Sequence, residues 1–431
     1  MALLGSLMGG MALIQRRMSP HPELVRKGMH VGMGLVTLTF PWVFQESWPV
    51  TLLAVLAVVA LLAVRLLSPI KAQLGNVLGG VKRFSLGELY FPIAVAIVFW
   101  LARGDKLLFC IPILILSLAD AVCALIGLRY GLSKYRTNEG EKSVEGSLAF
   151  FLIAFFSTHI PLLLFTTIGR AEILLISIAL GFLVMLMEAI AWGGLDNLFI
   201  PLTSYLLLRI YVTLSVTELA VRLVVMVLLT AFLIPLRRRS TLNGSAALCA
   251  GMLCYVAWAL GGLPWLLAPL IGLAAFPSLS PLHPEIKRES NVHTVIRVMA
   301  GPLFWLGISL EFKRPELIYL FYLTLGAQLA GICITRRALA TNSSLQRRPL
   351  LECVIGGWLI LFIPYLLIDT ITARTVIEAL AAPIIILVAG LAHNASLPCT
   401  TDTSPGLAQW LRENLCIPVV STLGLIPHFL L

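Results

Sequence analysis

The chain is expected to be an all-α, polytopic integral membrane protein with about fourteen transmembrane helices, and three observations lead there. Hydrophobic residues fill 59% of its 431 positions and charged residues only 12%, and mean hydropathy is +0.96; soluble domains do not have this composition. Apolar runs recur along nearly the whole chain, close to the ~20 residues that cross a bilayer as a helix. In the first half of the chain Lys and Arg concentrate in every second connection between those runs, as they do in cytoplasmic loops.

In order, the runs fall near 28–44, 49–67, 87–102, 107–128, 146–167, 172–192, 198–213 and 218–236. A second set follows near 244–260, 265–279, 298–312, 317–335, 351–368 and 375–396. Met1 to Ile14 is too short and lacks the basic front end of a cleaved signal peptide, so a half-inserted helix is expected there. If loop 14–27 is cytoplasmic, loops 65–86, 129–145, 193–197 and 236–243 share its side. The intervening loops 45–48, 103–106, 168–171 and 214–217 are poor in cations. The net charge of +10 is mostly this bias, so it calls for no nucleic-acid partner.

Cys110, Cys123, Cys249, Cys254, Cys333, Cys353, Cys399 and Cys416 are scattered without a CxxC pair and read as small core residues. Glycosylation-like triplets at Asn243, Asn342 and Asn394 read as chance, two of them lying in loops expected to be cytoplasmic. The basic stop Arg237-Arg238-Arg239 suggests a junction. Residues 1–239 then form one membrane domain and 240–431 a second helical module.

The strong polar constellations lie before that junction. Arg26, Lys27 and His30 fall within about one helical turn, with Gly34 four residues further. That face suits phosphate oxygens, or else its cations are positive-inside anchors and His30 an interface residue. Asp120 opens a stripe of small residues, Ala124, Gly127 and Gly131, which admits another helix or a ligand close to the backbone. A carboxylate inside an apolar helix needs a reason to stay charged; coordination to Mg²⁺ is one, a salt bridge to Lys142 or Arg26 another.

Residues Arg129 to Lys142, then Ser143 to Ser147, supply cations, hydroxyls, Gly146 and the free amides of a helix start, which is what phosphates require. Ser143-x-Glu145 also reads as an ordinary helix cap with first-turn charge. Glu188 precedes Trp192-Gly193-Gly194, where the helix is expected to break, so that Asp196-Asn197 begins the next. Asp120, Glu188 and Asp196 thus arrive at one membrane face from three segments.

Five motifs now stand in order: Arg26-Lys27-x-x-His30-x-x-x-Gly34; Gly87-Glu88-Leu89-Tyr90-Phe91-Pro92; Asp120-Ala121-x-x-Ala124-x-x-Gly127-x-x-x-Gly131; Lys142-Ser143-x-Glu145-Gly146-Ser147; and Glu188 followed by Asp196-Asn197-x-x-x-Pro201. Together they resemble the phytol kinase and dolichol kinase family, CTP-dependent isoprenoid-alcohol kinases distantly similar to phosphatidate cytidylyltransferases. The resemblance covers about residues 15–236. It implies phosphoryl transfer from CTP or another nucleoside triphosphate to the hydroxyl of a membrane lipid alcohol such as phytol, farnesol or a dolichol-like polyprenol.

By motif position, the resemblance implies that Asp120 and Asp196 hold Mg²⁺. It further implies that Lys142, Ser143, Gly146 and Ser147 cradle phosphates, with Arg26, Lys27, His30 and Asn197 as further substrate contacts. Glu145 or Glu188 would orient the alcohol or complete the metal shell. The site would face the cytoplasm, in a bacterial inner membrane or an organelle membrane. Where relatives often carry glycine before the metal-binding aspartate, this chain has Ala119, which alters how closely a ligand approaches.

In the second module Ser240-Thr-Leu-Asn-Gly244-Ser245-Ala echoes Ser143-Val-Glu-Gly146-Ser147-Leu-Ala, but Asn243 stands where Glu145 does and no embedded aspartate matches Asp120. His283, Lys287, Arg288, His293 and Arg297 form a basic loop, either a plain positive-inside loop or a second phosphate-handling surface. The module is therefore expected to be non-catalytic. Two other readings compete with the kinase: a cytidylyltransferase, which would release pyrophosphate and leave CMP on the lipid, and a transporter, which would place its charges near mid-membrane between repeats.

Overall fold

A computed structural model describes residues 22–66, 86–137, 140–279, 291–341, 346–368, 372–396 and 417–426. Met1 to Ile14, His283, Lys287, Arg288 and residues 414–416 and 427–431 of the tail lie outside the described residues. Backbone packing separates a unit Met1–Val224 from a unit Val225–Leu431.

The first unit is built from α1 (Pro22–Leu38), α2 (Ser47–Leu66), α3 (Gly87–Ala102), α4 (Lys106–Leu114), α5 (Asp120–Tyr130), α6 (Val144–Phe165), α7 (Arg170–Ile190) and α8 (Asp196–Tyr211). Asp105 starts α4 by accepting from the Leu107 and Leu108 amides at 2.9 and 3.0 Å, which satisfies two donors that a helix N-terminus leaves open. A π-helical turn, Ile115–Ala119, joins α4 to α5 directly before Asp120. Insertions of this kind gather at functional sites because they re-aim the side chains beyond them.

Between α5 and α6 the expected loop is instead an antiparallel hairpin of β1 (Lys134–Thr137) and β2 (Gly140–Ser143). Its register sets Tyr135 opposite Lys142 and Lys134 opposite Ser143. Ser143 then caps α6, accepting from Gly146 N at 3.1 Å. Along α6, Leu148, Leu152, Phe156 and Ile160 form an exposed apolar stripe at intervals of four; in a membrane helix that face meets lipid. The opposite face, with Ala149, Phe150, Ala154 and Thr158, is buried, and α6 packs along α5 and α7.

α9 (Val216–Arg239) leads into α10 (Gly244–Gly261), α11 (Leu263–Leu279), α12 (Val292–Glu311), α13 (Ile318–Thr341), α14 (Arg347–Ile368) and α15 (Ala373–Ser396). Asn243 caps α10 through Ala246 N at 2.8 Å and Asn291 caps α12 through Thr294 N at 3.2 Å. Asn243 thus does for α10 the capping that Ser143 does for α6. α13 is enclosed by α11, α12, α14 and α15.

The class is all-α and polytopic, apart from the one hairpin. Nine helices among the described residues are long and apolar enough to cross a membrane. Ser47–Ala63, Gly87–Ala102 and Leu263–Pro277 are apolar but shorter. α1 and α8 fall short for a chemical reason: Arg26, Lys27 and His30 sit in one, Asp196 and Arg209 in the other, and each charge raises the cost of a span.

Candidate active site

Connectivity brings five chain segments to one end of the first unit. The beginnings of α1, α5, α6 and α8 and the close of α7 carry Lys27, Asp120, Lys142, Asp196 and Glu188 on or beside them. Lys27 is 5% exposed and its Nζ lies 2.7 Å from both oxygens of Asp120, itself 7% exposed. One turn along α1, His30 Nε2 donates to the Leu116 carbonyl at 3.2 Å and lies 3.6 Å from Asp120 Oδ2. Phe91 meets the His30 ring edge-on at 5.2 Å. That contact gives the Gly87-to-Pro92 motif a role, since Phe91 holds the imidazole beside the ion pair.

The partner of Asp120 is therefore Lys27, not Lys142 or Arg26. Arg26 is exposed, though close enough to act electrostatically on Asp120 and His30. Lys142 instead donates to Glu188, to Oε1 at 2.7 Å and also to its backbone carbonyl. Burial disfavours the Lys142 ammonium, but the Glu188 carboxylate outweighs it and holds the group above the ordinary lysine range. Glu188 is 5% exposed and its other oxygen, Oε2, is buried with no hydrogen-bond partner among the described residues.

Asp196 completes the group. Gly193 and Gly194 take positive φ angles of 65° and 85°, a conformation that costs other residues energy, and so reverse the chain after α7. Leu86 N bonds to Gly193 O at 3.1 Å, tying the start of α3 to this turn. At the head of α8, the Asp196 carboxylate accepts from Asn197 N at 3.1 Å and lies within the fields of Asp120, Lys142, Lys27 and Glu188. Asn197 Oδ1 is a second buried acceptor with no partner among the described residues.

Other expected site residues make contacts within the connection into α6. Ser143 is a cap and fills the small-residue stripe of α5: a Cβ on Gly131 would stand 2.7 Å from Ser143 Cβ, and one on Gly127 3.1 Å from its Oγ. Gly146 lies against the same stripe, where an added Cβ would be 3.1 Å from the Cys123 carbonyl. The stripe thus admits a neighbouring helix. Glu145 stands outside the charge cluster and closes the hairpin by accepting from Ser133 N at 3.0 Å. Ser147 shares a 2.8 Å hydrogen bond with the Tyr135 hydroxyl.

Sequence reading missed three residues. Cys123, one turn after Asp120, lies 3.8 Å from Glu188 Oε1; its i+3 spacing from Asp120 was the available signal. Tyr135 joins through the hairpin register, which no periodicity foretold. Ser117 Oγ, inside the π turn, is buried without a partner among the described residues and occupies the space left by the missing Cβ of Gly34.

Chemically, two ammonium groups and three carboxylates lie within electrostatic reach at one site. Each lysine is held by a carboxylate, and two acceptors, Glu188 Oε2 and Asn197 Oδ1, have no partner among the described residues. Phosphate can replace carboxylate at a lysine only if the released acid finds another cation. Among the described residues no three His, Cys, Asp or Glu side chains come together as a metal cluster. Mg²⁺, however, is commonly held by one or two carboxylates with substrate phosphates filling the shell. Asp196 lies within the fields of Asp120 and Glu188, and Glu188 Oε2 and Asn197 Oδ1 have no partner among the described residues, so this donor set has the chemistry for such shared binding once Lys27 leaves Asp120.

No family model matches the chain, and no solved structure matches it. It is 28% identical over 207 residues to a phytol kinase from Synechocystis sp., a stretch equal to 47% of this chain and 86% of that protein. This supports a phytol-kinase-like family for the matched part.

Proposed function

We propose that the chain is a membrane lipid kinase that transfers the γ-phosphoryl group of CTP, or another nucleoside triphosphate, to the hydroxyl of an isoprenoid alcohol. The observation that carries this reading is the pairing of Lys27 with Asp120 and of Lys142 with Glu188, both within the field of Asp196 in the first unit. Likeness to a phytol kinase supports it independently. Phosphoryl transfer asks a protein for position and electrostatics more than for covalent chemistry, and this cluster supplies both. The concentration of cations in loops on that side argues for a cytoplasmic site.

In this reading Lys142 and Lys27 exchange carboxylate for phosphate oxygens and hold the γ-phosphate in line with the alcohol. Asp120 and Asp196 would hold Mg²⁺, which when bound neutralises triphosphate charge. Glu188 Oε2 accepts the hydrogen bond of the lipid hydroxyl and then its proton. The alcohol oxygen bonds to the γ-phosphorus as the bond from that phosphorus to the β–γ bridging oxygen breaks, and the nucleoside diphosphate leaves. His30, held by Leu116 and Phe91, keeps Lys27 and Asp120 in register.

The test is incubation of the purified full chain with phytol, farnesol or a dolichol-like polyprenol, and with CTP labelled in either the γ or the α phosphate. Transfer of γ label to lipid supports a kinase. Transfer of α label would establish cytidylyl transfer in its place.

A further inference from the structure

Two thiols of the second unit face each other across a helix pair, outside everything the proposed kinase chemistry uses. Cys333 on α13 and Cys353 on α14 are 4% and 1% exposed, and their Sγ atoms lie 2.7 Å apart. Even carbon atoms, which are smaller than sulfur, rest ~3.5–4.0 Å apart when no bond joins them, whereas a disulfide closes at ~2.05 Å. The two sulfurs therefore stand less than about 1 Å from bonding distance.

The backbones explain this approach. Gly326 and Ala330 of α13 meet Gly357 of α14, then Cys333 meets Cys353, then Arg337 meets Glu352. Positions rise on one helix as they fall on the other, so the two run antiparallel. A Cβ on Gly357 would stand 2.6 Å from the Gly326 carbonyl oxygen and 3.2 Å from Ala330 N, so the absence of a side chain there is what lets the helices come together. A disulfide requires such nearness, because its Cα atoms lie only ~4.4–6.8 Å apart.

One turn after Cys333 on the same helix, Arg337 pairs with Glu352 at 2.6 Å through exposed side chains. Arg337 is also within electrostatic reach of both cysteines. A guanidinium beside sulfur stabilises the thiolate, the form that reacts. Burial excludes bulky reagents from this pair and leaves it to a small oxidant.

We propose that Cys333 and Cys353 are a redox-modification site, a dithiol that hydrogen peroxide converts to a disulfide joining α13 to α14 and that a thiol reductant restores. The Cys333 thiolate attacks one peroxide oxygen, the O–O bond breaks, and the departing hydroxide takes up the thiol proton as water. The Cys353 sulfur then attacks the sulfur of the Cys333 sulfenic acid. The S–O bond breaks, and the hydroxyl leaves with the Cys353 proton as a second water. Two electrons pass from the thiols to the peroxide. The site is independent of phosphoryl transfer in the first unit.

The test uses the full chain, reduced, desalted and held in phosphatidylcholine nanodiscs. It is treated with hydrogen peroxide, denatured, alkylated with N-ethylmaleimide and digested without reductant for mass spectrometry. A peptide carrying Cys333 joined to one carrying Cys353 is expected, lighter than the two thiol peptides together by two hydrogen atoms and lost on adding dithiothreitol. Alkylation of the two cysteines should fall together, about fivefold or more, while Cys249 and Cys254, buried on α10, stay alkylated. Peroxide that leaves Cys333 and Cys353 alkylated, or that joins either one to a different cysteine, overturns the site. Equal loss of alkylation at Cys249 and Cys254 overturns it as well, since nothing would then single out this pair.

Discussion

Lys27 Nζ lies 2.7 Å from each carboxylate oxygen of Asp120, joining buried residues 93 positions apart. The pair changes what a single substitution reports. Asp120→Asn strands a buried ammonium, and breaking a buried pair costs ~3–5 kcal/mol, so lost activity and lost stability arrive together. The double variant Lys27→Met/Asp120→Leu should recover most of the melting temperature while turnover stays at least ~10³-fold down, because the charge needed for transfer is still absent. Recovery of both would reduce the pair to a structural brace.

Lys142 makes the second contact of this type. Lys142→Met is expected to raise the KM for nucleotide about tenfold or more, with Lys142→Arg keeping part of the loss at bay. Glu188 holds the Lys142 pKa above its ordinary value. The stabilisation is therefore fully present below the unfolded value of about 10.4 and is lost only as pH rises through the folded value. Rates compared between wild type and Lys142→Arg across neutral pH should run parallel; a Lys142-dependent break near neutrality would contradict this.

Glu145 belongs to the hairpin. With its carboxylate turned to Ser133 N, Glu145→Gln should keep turnover within a factor of about 3 of wild type, whereas Glu188→Gln should nearly abolish it. Steady-state assays of the two variants side by side decide between the acids, and equal losses would return Glu145 to the site.

Gly34 and Ser117 test the π turn. Gly34→Ala places a methyl group where the Ser117 side chain stands, an overpacking expected to cost ~1–3 kcal/mol. Adding Ser117→Ala should recover most of it in thermal unfolding. No recovery would mean that the helices adjust elsewhere.

All proposed reacting groups lie in the unit Met1–Val224. A fragment ending after Arg239 should therefore retain measurable lipid phosphorylation; a stable but inactive fragment would place part of the site in the second unit.

The helical membrane class and the Gly193-Gly194 break before α8 are legible in the sequence alone. These follow from hydropathy, helical periodicity and turn chemistry, which are local. Only the tertiary structure decided that Asp120 pairs with Lys27, that Lys142 pairs with Glu188, and that Glu145 and Ser143 shape the connection into α6. A repeat of 3.6 residues fixes the face on which a side chain lies, but not which distant helix packs against that face.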